Sequence, residues 1–301
     1  MGQHKFPSNI MAILTNNVSP SFKAEMKNLP PVAVIIVTHN SKHVIGHCLQ
    51  SLIDTGYTNL SIIITDSGSS DTNYLTELRK QFSFHLIKEK NIGFSRANNL
   101  GYHSIAPETE YIVFLNPDAF PEPDTFYFAV NILMNNPEIG CLTGKLLAFD
   151  QTRLQPTDLF DSTGIFRKWY GQWYDRGQGE RDMGQYQEPC DVPAICGAFM
   201  FFQRQTLDEI MIHNAVFHPI FFLYKEDIEL CLRVRKAGWR LVYHPALKIF
   251  HCRGWQKKRS DIPYELKKLS AKNEILLYRL HPSPYIIWAL FKYLLVYLFS
   301  L

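Results

Sequence analysis

Three places in the sequence combine residue types that could bind a metal ion or move a proton. Asp118 stands just beyond the apolar run Tyr111–Leu115, which is typical of a buried strand. Glu226 and Asp227 place two carboxylates where a helix is predicted to begin, and His251 follows a later apolar segment. Carboxylates and an imidazole suit a divalent cation, and a carboxylate can act as a general base. Each also has an ordinary alternative: a turn residue, a helix cap, or a histidine satisfied in the core.

The elements that must position these residues alternate between strand and helix from residue 32 onward. The apolar runs “VAVIIVTHN” and “LSIIITDSGSSD” each predict a strand. Each is followed by a stretch in which apolar residues recur at the spacing of a helix, “HVIGHCLQSLID” and “TNYLTELRKQF”. A short strand, “FHLIKEK”, and a helix beginning in “GFSRANNLGYHSI” precede “YIVFLNPD”. This alternation predicts a mainly parallel sheet with helices on both faces.

Polar triplets follow three of the predicted strands: Thr38-His39-Asn40, Asp66-Ser67-Gly68 and Asn116-Pro117-Asp118. Ligands bind beyond the carboxyl ends of the strands in such sheets, so three polar ends on one edge predict a shared site. The dinucleotide-binding motif G-x-G-x-x-G does not follow the first strand, and the P-loop motif G-x-x-x-x-G-K-[ST] does not occur. The predicted ligand is therefore not held by either kind of glycine-rich loop.

The second half of the chain is less regular. Residues 150–190 are rich in Gly, Gln, Asp and aromatic residues, which predicts a long irregular segment that could line a pocket or order when ligand binds. An apolar strand is predicted over 198–202, and a helix from Glu226 to the stop signal Gly238. The strands “WRLVYHP” and “LKIFHCRG” then lead to His251.

The composition is that of an ordinary globular protein. The 301 residues are 46% hydrophobic and 20% charged, and a formal net charge of +3 gives no support for nucleic-acid binding. The six cysteines form no C-x-x-C pair, which argues against zinc-knuckle and thioredoxin-like motifs, and we expect reduced thiols in the cytosol. The sequence leaves the oligomeric state open.

Seven stretches, taken in order over about residues 31–255, match a known pattern: “VAVIIVTHNS”, “IIITDSGSSD”, “NIGFSRANNLG”, “YIVFLNPDA”, “CGAFMFFQR”, “FFLYKEDIELCLRVRKAGW” and “HCRG”. Together they resemble inverting glycosyltransferases of family 2, especially bacterial rhamnosyltransferases. The resemblance implies the GT-A fold, a Rossmann-like nucleotide-diphospho-sugar transferase fold with a mixed, mainly parallel central sheet and C-terminal helices. Two departures matter: His39 replaces a common Tyr, and Asn116-Pro117-Asp118 replaces Asp-x-Asp, which leaves one metal-binding carboxylate.

The resemblance also implies a role for each candidate residue. Asp227 would be the general base, and Asp118 and His251 would hold Mn²⁺ or Mg²⁺. Asp66 is similar to the acidic residue that hydrogen-bonds the donor's pyrimidine ring, and Arg96 could bind phosphate in bidentate fashion or simply be solvated. The implied donor-binding residues are Thr38, Asn40, Asp66, Gly68, Asn91, Gly93, Phe94, Arg96, Asn99 and Asn116.

The chemistry of sugar transfer is consistent with these roles. Charge develops on the departing diphosphate, and a hard divalent cation with few protein ligands can stabilise that charge. Inversion needs one general base, and repulsion between two buried carboxylates predicts that one of Glu226 and Asp227 points elsewhere. The implied reaction moves L-rhamnose from dTDP-L-rhamnose to a glycan or lipid-linked acceptor in cell-surface polysaccharide synthesis. The alternatives are a noncatalytic nucleotide-sugar-binding module and a membrane-associated scaffold.

The C-terminus predicts contact with a membrane surface. Residues 265–280 show an amphipathic helical pattern, preceded by the basic run 257–259, and residues 285–301 are almost entirely apolar. The latter are shorter than the roughly 20 residues that a span needs, but they carry aromatic residues suited to an interface. We expect peripheral attachment at the inner, cytoplasmic face of the cell membrane; the alternative is a final core helix. The expected units are an N-terminal extension (1–30), a GT-A domain (31–256) and this C-terminal segment (257–301).

Overall fold

The computed structural model describes residues 29–252 and 263–299, so the basic run 257–259 and residues 1–28 of the predicted extension lie outside the described residues. Within these ranges the strands are β1 Val32–Thr38, β2 Leu60–Ser67, β3 His85–Glu89, β4 Tyr111–Leu115, β5 Ala119–Pro121, β6 Ile139–Asp150, β7 Gln155–Ser162, β8 Ile165–Arg167, β9 Trp173–Asp175, β10 Cys190–Asp191, β11 Phe199–Gln203 and β12 Arg240–His251. The helices in the same ranges are α1 Ile45–Asp54, α2 Asn73–Leu78, α3 Phe94–His103, α4 Thr125–Asn135, α5 Arg204–Ile210, α6 Glu226–Lys236, α7 Tyr264–Leu280 and α8 Ile286–Phe299.

Ten of these strands form one mixed sheet, in the order β10-β12-β6-β11-β4-β1-β2-β3, with β5 paired to β12 and β7 to β6. The neighbours β4, β1, β2 and β3 are parallel. Strand β11 is antiparallel to both β4 and β6, whereas β12 is parallel to β6. The predicted α/β fold, with a mixed sheet and C-terminal helices, is confirmed.

Burial explains why the first strands are so apolar. Every residue of β1 and β4 is buried, because this part of the sheet is covered on both faces. Helix α1 buries one face against the sheet. The buried residues recur at helical spacing: Ile45, Cys48, Leu49 and Leu52. The polar residues that follow these strands are therefore held on a rigid framework.

The prediction of one long irregular segment over 150–190 is partly wrong. This stretch contains β7, which pairs with β6, and the two-stranded sheet β8-β9. Three consecutive residues at the end of β7 are buried, so the strand lacks the alternation by which strands are recognised. The two strands predicted after residue 238 are one strand, β12, with a register shift between Tyr243 and Lys248.

The C-terminal helices form a pair in which α8 packs along α7. Lys292 of α8 points inward and forms an ion pair with the buried Glu274 of α7. Within residues 29–252 and 263–299, every helix is too short or too polar to span a bilayer. The outer side of α8 is apolar, however, and seven of its side chains are at least 50% exposed: Ile287, Leu290, Phe291, Leu294, Tyr297, Leu298 and Phe299.

Candidate active site

The ends of β1 and β2 form one border of the site. Thr38 and Asp66 are paired in register and are both buried, so two predicted donor-binding residues lie side by side. The Asp66 carboxylate accepts hydrogen bonds from the backbone N–H of Ser69, at 3.1 Å, and from its hydroxyl. These bonds give Asp66 a turn-forming role, and its contact with a pyrimidine ring stays a prediction.

Two close approaches shape the loops beyond these strands. Asn40 has a left-handed backbone (φ 55°), and its Oδ1 accepts a hydrogen bond from the Ser70 N–H at 2.9 Å, which ties the end of β1 to the loop after β2. At Gly68 (φ +77°) a Cβ would lie 2.4 Å from the backbone nitrogen of Asn91. Only glycine permits this approach, which brings Asn91 to the end of β2.

The start of α3 packs against residues 217–222. The Phe94 N–H donates to the Phe222 carbonyl at 2.7 Å. The buried Asn99 donates from Nδ2 to the Phe217 carbonyl at 2.8 Å, and its Oδ1 accepts from the Phe217 N–H at 2.9 Å. Both polar groups of Asn99 thus support this loop, and its direct contact with a donor stays a prediction.

The other predicted residues near α3 differ in exposure. Gly93 (φ +81°) is buried, and a Cβ there would lie 2.5 Å from the Phe222 ring. Asn91 and Arg96 are exposed, and the Arg96 Nε donates to the Pro219 carbonyl at 3.3 Å. Both exposed side chains are accessible to a phosphate, although their roles in donor binding stay predictions.

Asp118 and His251 lie together because β5 pairs with the end of β12. Ala119 opposes His251 in that pairing. The His251 Nε2 is therefore 3.3 Å from the Asp118 Oδ1, and the Asn116 Nδ2 is 3.5 Å from the same nitrogen. The structure brings the two predicted metal ligands into contact, with a predicted donor-binding residue beside them.

The charges on this pair depend on each other. Burial disfavours a charged imidazole, but Asp118 and Asp161 outweigh burial and raise the pKa of His251 to about 9. Burial also opposes a charge on Asp118, and the neighbouring His251 holds the pKa of that carboxyl below its ordinary value. A cation at Nε2 would replace the proton that these interactions favour.

The two side chains fit a small divalent cation. Their ligand atoms are 3.3 Å apart, close to the separation of adjacent ligands around an octahedral ion with bonds of about 2.1 Å. Among the described residues, no group of three His, Cys, Asp or Glu side chains is arranged to hold a metal. A cation here would therefore need further ligands from phosphate and water, and the imidazole favours Mn²⁺ over Mg²⁺.

Asp227 lies at the start of α6, beside β11. Its Oδ2 accepts a hydrogen bond from the Gly197 N–H at 3.1 Å, and its Oδ1 accepts one from the Ile228 N–H at 2.8 Å. Burial raises the pKa of Asp227, while the charge of Lys225 and both N–H donors act in the opposite direction. The residue is partly exposed and borders a cavity, which supports the predicted role of its carboxylate as a base.

Glu226 has a different environment from its neighbour. It is buried, and its Oε2 has no hydrogen-bond partner among the described residues. Burial, and then the charge of Asp227, raise the pKa of Glu226 to about 8. The two carboxylates thus point into different surroundings, as their repulsion predicts, and Glu226 is protonated at neutral pH.

A cavity of about 220 Å³ lies next to Asp227. The small sheet β8-β9, the residues before α6, and α7 all contribute to its walls. Its lining includes Trp173, Tyr174, Asp175, Tyr224, Asp227 and Ser270. A larger hollow of about 530 Å³ lies at the opposite end of β4 and β11, and it contains none of the predicted site residues.

Comparison with known proteins identifies the family. Residues 30–266 match the family described as “Glycosyltransferase like family 2”. The chain belongs to this family.

Two relatives illustrate the similarity. The chain is 24% identical over 234 residues to the probable glycosyltransferase YdaM of Bacillus subtilis, covering 75% of this chain and 52% of that protein. It is also 24% identical over 276 residues to an uncharacterized glycosyltransferase of Haemophilus influenzae, covering 83% of this chain and 79% of that protein. The chain thus spans about half the length of YdaM.

Solved glycosyltransferases share the fold of this family 2 chain. GalNAc-T7, crystallised with UDP, GalNAc and Mn²⁺, superposes with a TM-score of 0.60 at 16% identity, covering 86% of this chain and 49% of that one. The mannosyltransferase PcManGT of Pyrobaculum calidifontis, in complex with GDP-Man and Mn²⁺, gives 0.55 at 17% identity, covering 93% and 76%. The GT-A fold implied by the sequence is confirmed, while the resemblance to rhamnosyltransferases stays a prediction.

Sequence reasoning missed one residue of the candidate site. Asp161, at the end of β7, is fully buried, and its Oδ2 lies 2.8 Å from the Nδ1 of His251. It comes from the segment that was predicted to be irregular, in “DLFDS”, where nothing distinguishes it from Asp158. Only the pairing of β7 with β6 and of β6 with β12 brings it to His251.

Proposed function

We propose that the protein transfers a sugar from a nucleoside-diphosphate sugar to an acceptor hydroxyl, with inversion at the sugar carbon. One observation carries this proposal: two adjacent residues, Gly197 and Ala198, connect the candidate base to Asn116, which lies beside the candidate metal ligand His251. The Gly197 N–H binds Asp227, and the carbonyl of the next residue, Ala198, accepts a hydrogen bond from the Asn116 N–H at 3.0 Å. A proton acceptor and a phosphate-binding group therefore share one edge of the sheet.

In the proposed reaction, Asp227 takes the proton from the acceptor hydroxyl as its oxygen attacks the sugar carbon. The bond to the diphosphate breaks on the opposite face, and the diphosphate leaves with the bonding electrons. The neighbouring Glu226 is neutral at pH 7, so it does not compete for this proton or add charge to the base. The two N–H donors on Asp227 fix the direction of the carboxylate.

The departing diphosphate would be stabilised beside Asp118 and His251. These residues would hold one Mn²⁺ or Mg²⁺, which supplies positive charge to the phosphate oxygens when it is bound. Asn116 adds a side-chain amide on the same side, 3.5 Å from the imidazole. Asn91 and Arg96 are exposed on the neighbouring loop and helix, where they could contact the rest of the donor.

The cavity beside Asp227 supports a sugar acceptor. Its aromatic lining residues Trp173, Tyr174 and Tyr224 offer apolar faces of the kind that pack against a sugar ring. The exposed fractions of Tyr174 and Tyr224 are 41% and 36%, so both remain accessible to a ligand. Part of the segment 150–190 would thus line an acceptor pocket, as the sequence suggested. A glycan or a lipid-linked sugar would provide the hydroxyl.

The proposed donor is dTDP-L-rhamnose, and it rests on the sequence resemblance. The test incubates the full chain with a panel of nucleotide sugars and Mn²⁺, measures release of the nucleoside diphosphate, and determines the anomeric configuration of any product by NMR. We expect release of dTDP from dTDP-L-rhamnose and a product with inverted anomeric configuration. Turnover of a different donor would correct the sugar, a retained configuration would overturn the one-base mechanism, and binding without turnover would favour a noncatalytic module.

The metal is tested by a chelator and by Asp118→Ala. Both should weaken binding of the nucleoside diphosphate and reduce turnover. The chelator removes the cation beside the phosphate, and the substitution removes one of the two protein ligands of that cation. Full activity in chelator would overturn the metal's role. It would move stabilisation of the leaving group to a side chain such as Arg96, or Arg253, which lies outside the described residues.

We also propose that the chain attaches peripherally to the cytoplasmic face of a membrane through α8. The outer side of this helix is apolar, and its cation Lys292 is turned toward Glu274 of α7. Exposed aromatic and aliphatic side chains on one face suit the boundary between headgroups and acyl chains. Attachment would bring the cavity near a lipid-linked acceptor.

A further inference from the structure

The imidazole of His251 is held between two carboxylates, one on each ring nitrogen. Asp118 lies 3.3 Å from Nε2, on the side of the candidate metal site. Asp161 lies 2.8 Å from Nδ1, on the other side. The side chains of His251 and Asp161 are 5% and 0% exposed, so this contact is shielded from water. A buried carboxylate is costly unless it is paired, which makes this contact a strong constraint on both side chains.

The local backbone of β7 directs Asp161 toward the histidine. Ser162 pairs with Leu146 and Phe160 pairs with Leu147, so the two residues of β6 are adjacent while Asp161 is an extra residue on β7. An extra residue of this kind is a β-bulge, which bends the strand and redirects a side chain. Phe160, Asp161 and Ser162 are all buried. The bulge takes Asp161 out of the regular alternation of β7, where its side chain lies beside His251.

Asp161 also determines which nitrogen of His251 can bind a cation. An imidazole that ligates through Nε2 must keep its proton on Nδ1, and a hydrogen bond from Nδ1–H to a carboxylate fixes both this tautomer and the orientation of the ring. It also makes the ligating nitrogen more basic. The contact at 2.8 Å has the length of such a bond.

We propose that Asp161 is a positioning residue that holds His251 in the tautomer and orientation required to bind the divalent cation. The inference rests on the proposed metal role of His251 and adds a residue that does not touch the substrate. Asp161 accepts the Nδ1–H proton, Nε2 faces the cation, and Asp118 provides the second protein ligand.

The test measures Mn²⁺ affinity, which does not depend on turnover. The full chain is titrated with Mn²⁺ in the presence of dTDP, and separately of UDP, and free Mn²⁺ is followed by electron paramagnetic resonance. Asp161→Asn retains an oxygen that accepts from Nδ1–H but loses the charge, whereas Asp161→Ala loses both. We expect the Mn²⁺ Kd to rise by about 10- to 100-fold in the alanine variant, and less in the asparagine variant.

Asp182→Asn is the matched control. Asp182 pairs with Lys145 of β6 at 2.6 Å and does not contact His251. This variant also removes a carboxylate from a largely buried ion pair beside β6, so it should lower thermal stability while leaving the Mn²⁺ Kd unchanged. Circular dichroism at the titration temperature confirms that each variant is folded, and Asp161→Asn serves if the alanine variant does not fold.

The outcomes separate this inference from the proposed function. If the wild-type chain takes up no Mn²⁺ with either nucleotide, the metal role of His251 fails and the inference fails with it. If the wild-type chain binds Mn²⁺ and Asp161→Asn and Asp161→Ala bind it within twofold as well, the positioning role alone is overturned. An equal loss of affinity in Asp182→Asn would also overturn it, because the effect would then be a general consequence of losing a carboxylate near β6.

Discussion

Asp227 and Glu226 are adjacent in sequence, yet their side chains have different environments. Asp227 is partly exposed and accepts two backbone hydrogen bonds, whereas Glu226 is buried and its Oε2 has no partner among the described residues. The difference follows from the position of each side chain at the start of α6. It favours Asp227 over Glu226 as the proposed base.

Asp227→Asn should reduce the transfer rate by about 10²- to 10⁴-fold, because a neutral amide cannot accept the proton of the acceptor. Donor binding should be retained, since Asp227 lies apart from the Asp118–His251 pair. Transfer is measured by product formation, and donor binding by calorimetry with the nucleoside diphosphate and Mn²⁺. Near wild-type turnover by this variant would contradict the assignment, and Glu226→Gln is the control that should remain active.

Glu226→Gln should change how stability depends on pH. The pKa of Glu226 is raised from its ordinary value of 4.5 to about 8 in the folded chain. Between these values the unfolded chain has lost the proton and the folded chain keeps it, so this group lowers the free energy of unfolding as pH rises. The neutral glutamine removes that loss. The melting temperature of the variant, relative to wild type, should increase from pH 5 to pH 8, and a constant difference would contradict the prediction.

At the scale of elements, the residues before α6 adopt a backbone that the rest of the fold must hold in place. Tyr224 and Lys225 both have left-handed φ angles, 73° and 74°, which cost energy for residues other than glycine. The buried Asn273 of α7 donates to the carbonyls of Leu223 and Tyr224, both at 2.9 Å. Helix α7 thus fixes the turn that leads into Asp227.

Asn273→Ala should therefore lower both stability and activity. Two carbonyls lose their donor, at a cost of about 1–3 kcal/mol, and each kcal/mol lowers the Tm of a domain of this size by roughly 2–4 °C. Transfer should fall further than donor binding, because the base is no longer held. The measurements are thermal unfolding and product formation at a temperature where the variant is folded.

Asn135→Ala is the control for this variant. The Asn135 amide is exposed and donates to the Asn131 carbonyl within its own helix, at 2.7 Å, so its loss should leave Tm and transfer nearly unchanged. Equal effects of Asn273→Ala and Asn135→Ala would contradict the role of α7.

The elements show which parts of the fold the sequence predicts. The strands β1, β2 and β4 each contain an apolar run that is followed by polar residues, so their type and their shared edge could be predicted. The contact between Asp161 and His251 could not, because it depends on a bulge in β7 and on pairings between strands far apart in sequence. The hydrogen bonds of Asn99 and Asn273 to backbone carbonyls likewise depend on tertiary packing.

At the scale of the whole molecule, the apolar side of α8 is a surface without a described partner in this chain. We predict that the full chain floats with anionic liposomes and that Leu290→Glu with Leu294→Glu abolishes flotation. These two side chains are 51% and 50% exposed, so the substitutions place charges on the outer side of α8 and remove apolar surface there. The exposed Lys272 and Arg279 of α7 would favour an anionic surface, by about 1 kcal/mol for each charge close to it.

A second variant separates membrane binding from loss of structure. Ile53→Glu places the same type of charge at an exposed apolar residue of α1, which is 54% exposed, and it should float as wild type does. If the full chain does not float, peripheral attachment is overturned. A change from monomer to dimer that depends on Leu290 and Leu294 would instead assign α8 to an interface between copies of the chain.

Two neighbouring residues of α7 connect different parts of the molecule. Asn273 holds the turn before Asp227, and Glu274 pairs with Lys292 of α8. If α8 rests on lipid, this single helix sets the height of the base above the bilayer. A lipid-linked acceptor must then present its hydroxyl at that height. We expect the enzyme to select acceptors by the length of the spacer between lipid and sugar, as well as by the sugar itself.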